Sequence, residues 1–227
     1  MIREQLGFRL AWRAGSVWSR LTAGRTIHEL PPSGPAAAVH QSTIIRLPLS
    51  IAAALTPTLE RLQEQGPQHY YYPGDTMHVT VLSMDGFLPN DLDATTRLTE
   101  LCSVISSHPS FELAVRGLNI SPTTVFAQIM PHDRTLRSLR CHLRAIAKQS
   151  CSRAGGHGAY GVITRTLVHA NVVRFSGPVT KGFLDELSRY RQTRFGRWTV
   201  REVEYVHSDR LLSQEGTQVV ERIPLAV

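Results

Sequence analysis

The chain has 227 residues, of which 42% are hydrophobic and 19% charged. That is enough apolar material to bury a core without cross-links, and it excludes a disordered chain. The formal net charge is +7, but residues 1–30 hold Arg3, Arg9, Arg13, Arg20 and Arg25 against Glu4 and Glu29, so the rest is only mildly basic, which suits a phosphate-bearing ligand without demanding a nucleic-acid groove.

Residues 1–40 come first. Leu6, Leu10, Trp12, Val17, Trp18 and Leu21 are spaced for an amphipathic helix, and Pro31-Pro32-Ser33-Gly34-Pro35 breaks it. This segment reads as a basic helical arm and Pro-rich linker, either packed on the body or touching RNA or a membrane surface. Residues 41–227 form the body. A strand over Ser42–Leu47 leads to a helix with Leu55, Leu59 and Leu62, which Pro57 would start after a Thr56 cap. Tyr70-Tyr71-Tyr72-Pro73 then precedes a strand containing His78.

A helix with Leu98, Leu101, Cys102 and Ile105 follows, then strands over 111–115 and 124–130. Asp133 caps a helix with an apolar stripe of Leu136, Leu139, Leu143 and Ile146. Arg137, Arg140, Arg144 and Lys148 read as its solvated face. Gly155–Gly158 is a loop, and a strand with His169 runs from Val162 to Phe175. A helix over Val179–Tyr190, closed by Phe195-Gly196, precedes two final strands near Thr199–Val206 and Gln218–Ile223. The order strand, helix, histidine strand, helix and further strands thus occurs twice, which predicts an α+β fold of two interlocked lobes.

The chemistry gathers at the two histidine strands, Met77-His78-Val79-Thr80-Val81-Leu82 and Val168-His169-Ala170-Asn171-Val172-Val173. Side chains at i and i+2 of a strand share a face, so His78 lies beside Thr80 and His169 beside Asn171. If the strands lie side by side they frame a pocket with two imidazoles. With an ordinary pKa near ~6.5, one ring can accept a proton while the other donates one near neutral pH. The other histidines have no comparable setting. No His, Cys, Asp or Glu cluster has metal-ligand spacing, so no metal or cofactor is expected. Cys102, Cys141 and Cys151 have no zinc or redox spacing, so a reduced, cytoplasmic setting is expected. No apolar run nears the ~18 residues of a membrane span, and no signal-peptide core opens the chain. No membrane partner is expected, and the chain should be a monomer.

These two H-x-T-like strands, with ninety residues between the histidines, the Tyr-Tyr-Tyr-Pro lead-in and the closing strand pair resemble the two-histidine phosphoesterase superfamily. That group includes 2′-5′ RNA ligase-like proteins and cyclic nucleotide phosphodiesterases, and the resemblance covers Ser42 to Ile223. It implies a bilobal fold with two antiparallel sheets and flanking helices related by a pseudo-two-fold duplication, with both motifs in the cleft. It also implies metal-independent opening of 2′,3′-cyclic phosphates of nucleotides or RNA ends, or RNA end joining in reverse. His78 and His169 would be the acid/base pair, and Thr80 would hold a phosphate oxygen.

Asn171 departs from the family's Thr or Ser, its amide being longer and planar. Arg174 stands where relatives often carry an arginine, a natural anion clamp. Strict alternation turns it away from His169, so a bulge or the strand's end must turn it if it is to reach a phosphate. Tyr70, Tyr71 and Tyr72 either stack on a nucleobase or lie buried. Two further functions stay open: the same chemistry on a small non-RNA cyclic phosphodiester, and a non-catalytic module binding RNA or phosphate.

Overall fold

Short runs of β-branched and apolar residues alternate with amphipathic helices in this chain. The structure, a computed structural model, describes residues 6–10, 12–14, 17, 39–85, 87, 94–150 and 167–227. In chain order these form β1 (His40–Arg46), α1 (Leu49–Gln65), β2 (Tyr70–Tyr71), β3 (His78–Ser83), α2 (Ala94–Ser106), β4 (Phe111–Ile120), β5 (Thr124–Pro131) and α3 (Thr135–Ser150). Then come β6 (His169–Arg174), α4 (Lys181–Arg189), β7 (Arg194–Val200), β8 (Glu202–Ser208) and β9 (Gln218–Pro224). The expected Pro31–Pro35 linker, the Gly155–Gly158 loop, Cys151 and the start of the strand placed from Val162 lie outside the described residues.

The strands make two antiparallel sheets with flanking helices, the expected α+β class. One sheet has the order β3-β1-β8-β9 and the other β2-β6-β5-β4-β7. The lobes are interlocked, because β8 and β9 return to join β1 and β3. Arg201 marks the crossing. The sequence suggests one strand near Thr199–Val206, whereas β7 ends at Val200 in one sheet and β8 begins at Glu202 in the other. Phe195-Gly196 consequently lies inside β7 rather than closing a helix.

The apolar faces of the helices fill the core. Leu55, Leu59 and Leu62 of α1, Leu101 and Ile105 of α2, and Leu136, Leu139, Leu143 and Ile146 of α3 are buried with Val125, Ala127, Ile129 and Val172 from the second sheet. Helix α1 begins at Leu49, ahead of the start suggested by Pro57. Pro57 removes one helical hydrogen bond, but it and Ala53, whose carbonyl loses its partner, lie on the exposed side of α1, where water serves instead. Asp133 caps α3 as expected, its Oδ1 accepting from Thr135 N–H at 2.8 Å.

Residues 6–10 and 12–14 of the arm are helical. Phe8 is buried with Phe126, Met130 and Leu167, and its carbonyl accepts from Asn119 Nδ2 at 2.7 Å. Among the described residues, no helix is long and apolar enough to cross a membrane.

Candidate active site

The two histidine strands belong to different sheets, so they are not hydrogen-bonded neighbours. β3 is the edge of its sheet, and β6 is flanked by a two-residue strand that pairs only with Val173 and Arg174. Among the described residues the His169 end of β6 is therefore unpaired on that side, where β3 approaches it. His78 and His169 are close enough for the charge of one to weigh on the other.

Both rings are held in the same way. His78 Nδ1 lies 2.8 Å from the Thr76 carbonyl, and His169 Nδ1 lies 3.3 Å from the Leu167 carbonyl. A carbonyl only accepts, so each Nδ1 carries the proton and each Nε2 keeps its lone pair. The ring of His169 is further wedged against Phe126, with centroids 5.1 Å apart.

Each motif strand contains one extra residue, and in both it is the third after the histidine. In β3 the register passes from Ile44↔Thr80 to Thr43↔Leu82, leaving Val81 unmatched. In β6 it passes from Phe126↔Asn171 to Val125↔Val173, leaving Val172 unmatched. Pairing is regular before these bulges, so His78 shares a face with Thr80 and His169 with Asn171. After the second bulge the alternation is inverted, which returns Arg174 to the face of His169. Val172 and Val173 are accordingly both buried while Arg174 is half-exposed. The side chains of Thr80 and Asn171 are also half-exposed, and among the described residues neither makes a side-chain hydrogen bond.

The three tyrosines separate. Tyr70 pairs with Arg174 and is half-buried, whereas Tyr71 turns the other way and its hydroxyl donates to the Gly66 carbonyl at 3.0 Å. Tyr72 is 3% exposed, the buried alternative of the two that the sequence left open. Its hydroxyl accepts from Arg174 Nε at 3.3 Å, and its ring meets Tyr70 edge-on with centroids 5.0 Å apart. Tyr72 thus orients the arginine, and Tyr70 lies half-buried beside it.

A further cation comes from α3, where the sequence suggested a solvated face. Arg137 and Arg144 are exposed, but Arg140 is buried. Its Nη2 donates to the Thr80 carbonyl at 2.8 Å and its Nε to the Val81 carbonyl at 2.9 Å. Successive carbonyls of a regular strand point to opposite sides, and it is the bulge at Val81 that lets one guanidinium reach both. The signal lay in the spacing: Arg140 is four residues after Leu136 and three before Leu143, on the shoulder of the apolar stripe.

Burial pushes His78 down to about 4, and the charges of Arg46 and His169 act in the same sense against the Thr76 carbonyl. Burial also lowers His169, as does the charge of Arg140, while the Leu167 carbonyl opposes them. The ordinary pKa on which a neutral-pH pair was expected therefore does not apply to the unliganded protein. Burial and Arg144 lower Arg140 only to about 10, so it stays charged at neutral pH. Arg46 is tied to Glu204 at 2.8 Å and to the Asp75 carbonyl at 3.1 Å. Among the described residues, no three His, Cys, Asp or Glu side chains gather where they could hold a metal ion.

No family model matches this chain, and no curated protein matches its sequence. Solved structures do match its fold. It is similar to TT0787 of Thermus thermophilus, at 16% identity and a TM-score of 0.59, over 82% of this chain and 97% of that one. It is also similar to E. coli LigT complexed with 3′-AMP, at 15% identity and a TM-score of 0.60, over 83% and 99% of the two chains. For LigT complexed with phosphate the identity is 16% and the TM-score 0.57, over 85% and 100%. At such identities the likeness establishes a shared fold.

Proposed function

We propose that the protein is a two-histidine phosphodiesterase that opens 2′,3′-cyclic phosphates of nucleotides or RNA ends without a metal ion. The observation that carries this reading is the matched pair of imidazoles, one from each sheet, each with Nδ1 bound to the carbonyl two residues earlier and Nε2 without a hydrogen-bond partner among the described residues. The likeness in fold to LigT, crystallised with phosphate and with 3′-AMP, supports it and points to a nucleotide as ligand.

In the proposed reaction one Nε2 takes a proton from water as the water oxygen bonds to phosphorus. The opposite imidazolium gives its proton to the departing ribose oxygen as the P–O bond breaks, so the ring opens to a phosphomonoester. Thr80 and Asn171 donate to the non-bridging oxygens, and Arg174, steadied by Tyr72, neutralises the charge that develops there. The unliganded site holds both rings neutral, next to Arg46 and Arg140. A phosphodiester anion between the rings opposes those charges and restores the proton that the acid needs.

The test is hydrolysis of nucleoside 2′,3′-cyclic phosphates and of a short RNA with a cyclic-phosphate end, in the presence of chelator. Turnover by the wild type that is lost in both His78→Ala and His169→Ala is the expected result. Turnover that survives either substitution, or that appears only when a metal ion is added, would discard the reading.

A further inference from the structure

The face of the second sheet that carries His169 continues into a basic pocket. Pairing puts Gln128 opposite His169 and Arg194 opposite Arg116. The register between β4 and β5 passes from Val115↔Ile129 to Leu118↔Ala127, so Arg116 and Gly117 bulge opposite Gln128. His169, Gln128, Arg116 and Arg194 thus form one row across four strands. At about 4.8 Å per strand, Arg116 and Arg194 lie about 10 and 14 Å from His169 along it.

The bulge is what builds the pocket. Gly117 has a φ of +91°, and a Cβ there would come within 2.0 Å of the Arg191 carbonyl oxygen, so no other residue fits. Its N–H donates to the Thr193 carbonyl at 2.8 Å, and Leu118 N–H donates to that of Tyr190 at 3.0 Å. The loop after α4 is thereby docked on β4 and carries Arg191 with it. Gln128 Nε2 clasps both sides, donating to the carbonyls of Arg116 at 2.7 Å and Arg191 at 3.0 Å. Trp12 of the arm lies against the Arg191 guanidinium, whose Cζ is 4.1 Å from the ring centroid.

The cavity measures about 270 Å³, and four arginines, Arg9, Arg116, Arg191 and Arg194, are among its lining residues, with Phe8 on its apolar side. Among the described residues no carboxylate lines it, and none of these four arginines makes an ion pair. Burial and the charges of Arg9 and Arg13 loosen the proton of Arg191, a repulsion that a bound anion relieves. The wall is continuous with the site already described, because Phe8 packs on Phe126 and Phe126 on His169, with centroids 6.3 Å and 5.1 Å apart. One phosphate takes one or two guanidinium forks. Four of them, extending from about 10 Å beyond His169, suit a series of phosphates.

We infer that this pocket holds phosphates beyond the reacting one in a single-stranded RNA, so that the substrate is an RNA end rather than a mononucleotide. The inference rests on the function proposed above, but it is tested by binding alone. The probe is a fluorescently labelled hexaribonucleotide ending in a 3′-phosphate, which cannot be turned over, with a nucleoside 3′-phosphate as competitor. The wild type should bind the hexamer at least about ten-fold more tightly at low salt, with a slope near 0.7 in log affinity against log salt for each phosphate engaged.

The double variant Arg116→Gln/Arg194→Gln should lose most of that preference and about one unit of slope. Arg9→Gln, on the arm and outside the sheets, should lose part of both and serves if the double variant does not fold. Equal affinity for hexamer and mononucleotide, or variants that keep both affinity and slope, would overturn the inference. Arginine-dependent RNA binding without turnover would keep the pocket and discard the phosphodiesterase reading. Turnover of RNA ends with no arginine-dependent affinity would do the reverse.

Discussion

The strands β3 and β6 carry the same device on two sheets, yet they arm it differently. Each offers a histidine whose Nδ1 is tied two residues back, then a polar side chain, then an unmatched valine. In β6 the bulge brings the strand's own Arg174 round to the histidine face. In β3 the residues after the bulge are Leu82 and Ser83, and the cation comes from outside, as Arg140 of α3 bonded to the two carbonyls at the bulge. His78 is also the deeper ring, at 7% exposure, while His169 is mostly but not fully buried. A repeated backbone plan thus yields an asymmetric site, because a bulge can be used either to turn a side chain or to collect a neighbour's.

The largest expected effect removes what the strands share. His78→Ala and His169→Ala should each lower cyclic-phosphate turnover by about 10³-fold, and the double variant should be hardly slower than either alone, because the two act as a unit. If the losses multiplied instead, the rings would not be working on one reaction. Arg140→Met removes what is particular to β3. It strands the Thr80 and Val81 carbonyls and should cost about 2–4 kcal/mol in denaturant unfolding. It should also raise the His169 pKa in an NMR titration, since Arg140 holds it down; an unchanged value would place the guanidinium's influence elsewhere.

The depth of His78 makes a pH prediction of similar size. Its folded pKa of about 4 lies below the ordinary 6.5, so the unfolded chain takes up the proton first as pH falls. Stability should therefore drop by about 3 kcal/mol between pH 6.5 and 4 and level off below that. His78→Gln should flatten that segment of the curve. Smaller effects are expected on the β6 side. Arg174→Gln should raise KM for the cyclic phosphate about ten-fold, and Tyr72→Phe, which removes one hydrogen bond to that arginine, about three-fold. A larger effect from Tyr72→Phe than from Arg174→Gln would mean that the tyrosine acts on the substrate directly.

Local pattern made most of this legible from the sequence. The apolar periods of α2 and α3, the Asp133 cap and the strand settings of His78 and His169 all depend on residues within a turn or two of one another. Alternation alone showed that a bulge or the strand's end had to turn Arg174, although it did not say which, nor where. What stayed hidden depends on distant partners. Nothing near Arg201 shows that one strand ends and another starts in a different sheet, because both halves read as extended chain. Arg140 looked solvated because its partners are backbone carbonyls, which have no signature in the sequence, some sixty residues away. Tyr72 looked like its two neighbours until Val172 and Arg174 fixed its position.

The interlocked order of the strands sets a timetable for synthesis. All five strands of the second sheet have been made once β7 is complete, so the lobe that holds His169 can close early. The sheet of His78 has only β1 and β3 at that moment, and a two-stranded ribbon is at best marginally stable in water. It gains its other strands only with β8, whose pairing with β1 spans more than 150 residues of chain, as between Ile44 and Glu204, and with β9, which pairs on β8; such long-range pairing is slow. A growing chain should therefore fold the two histidine strands in the reverse of their sequence order. The approach of β3 to β6 should then be among the last things the molecule acquires.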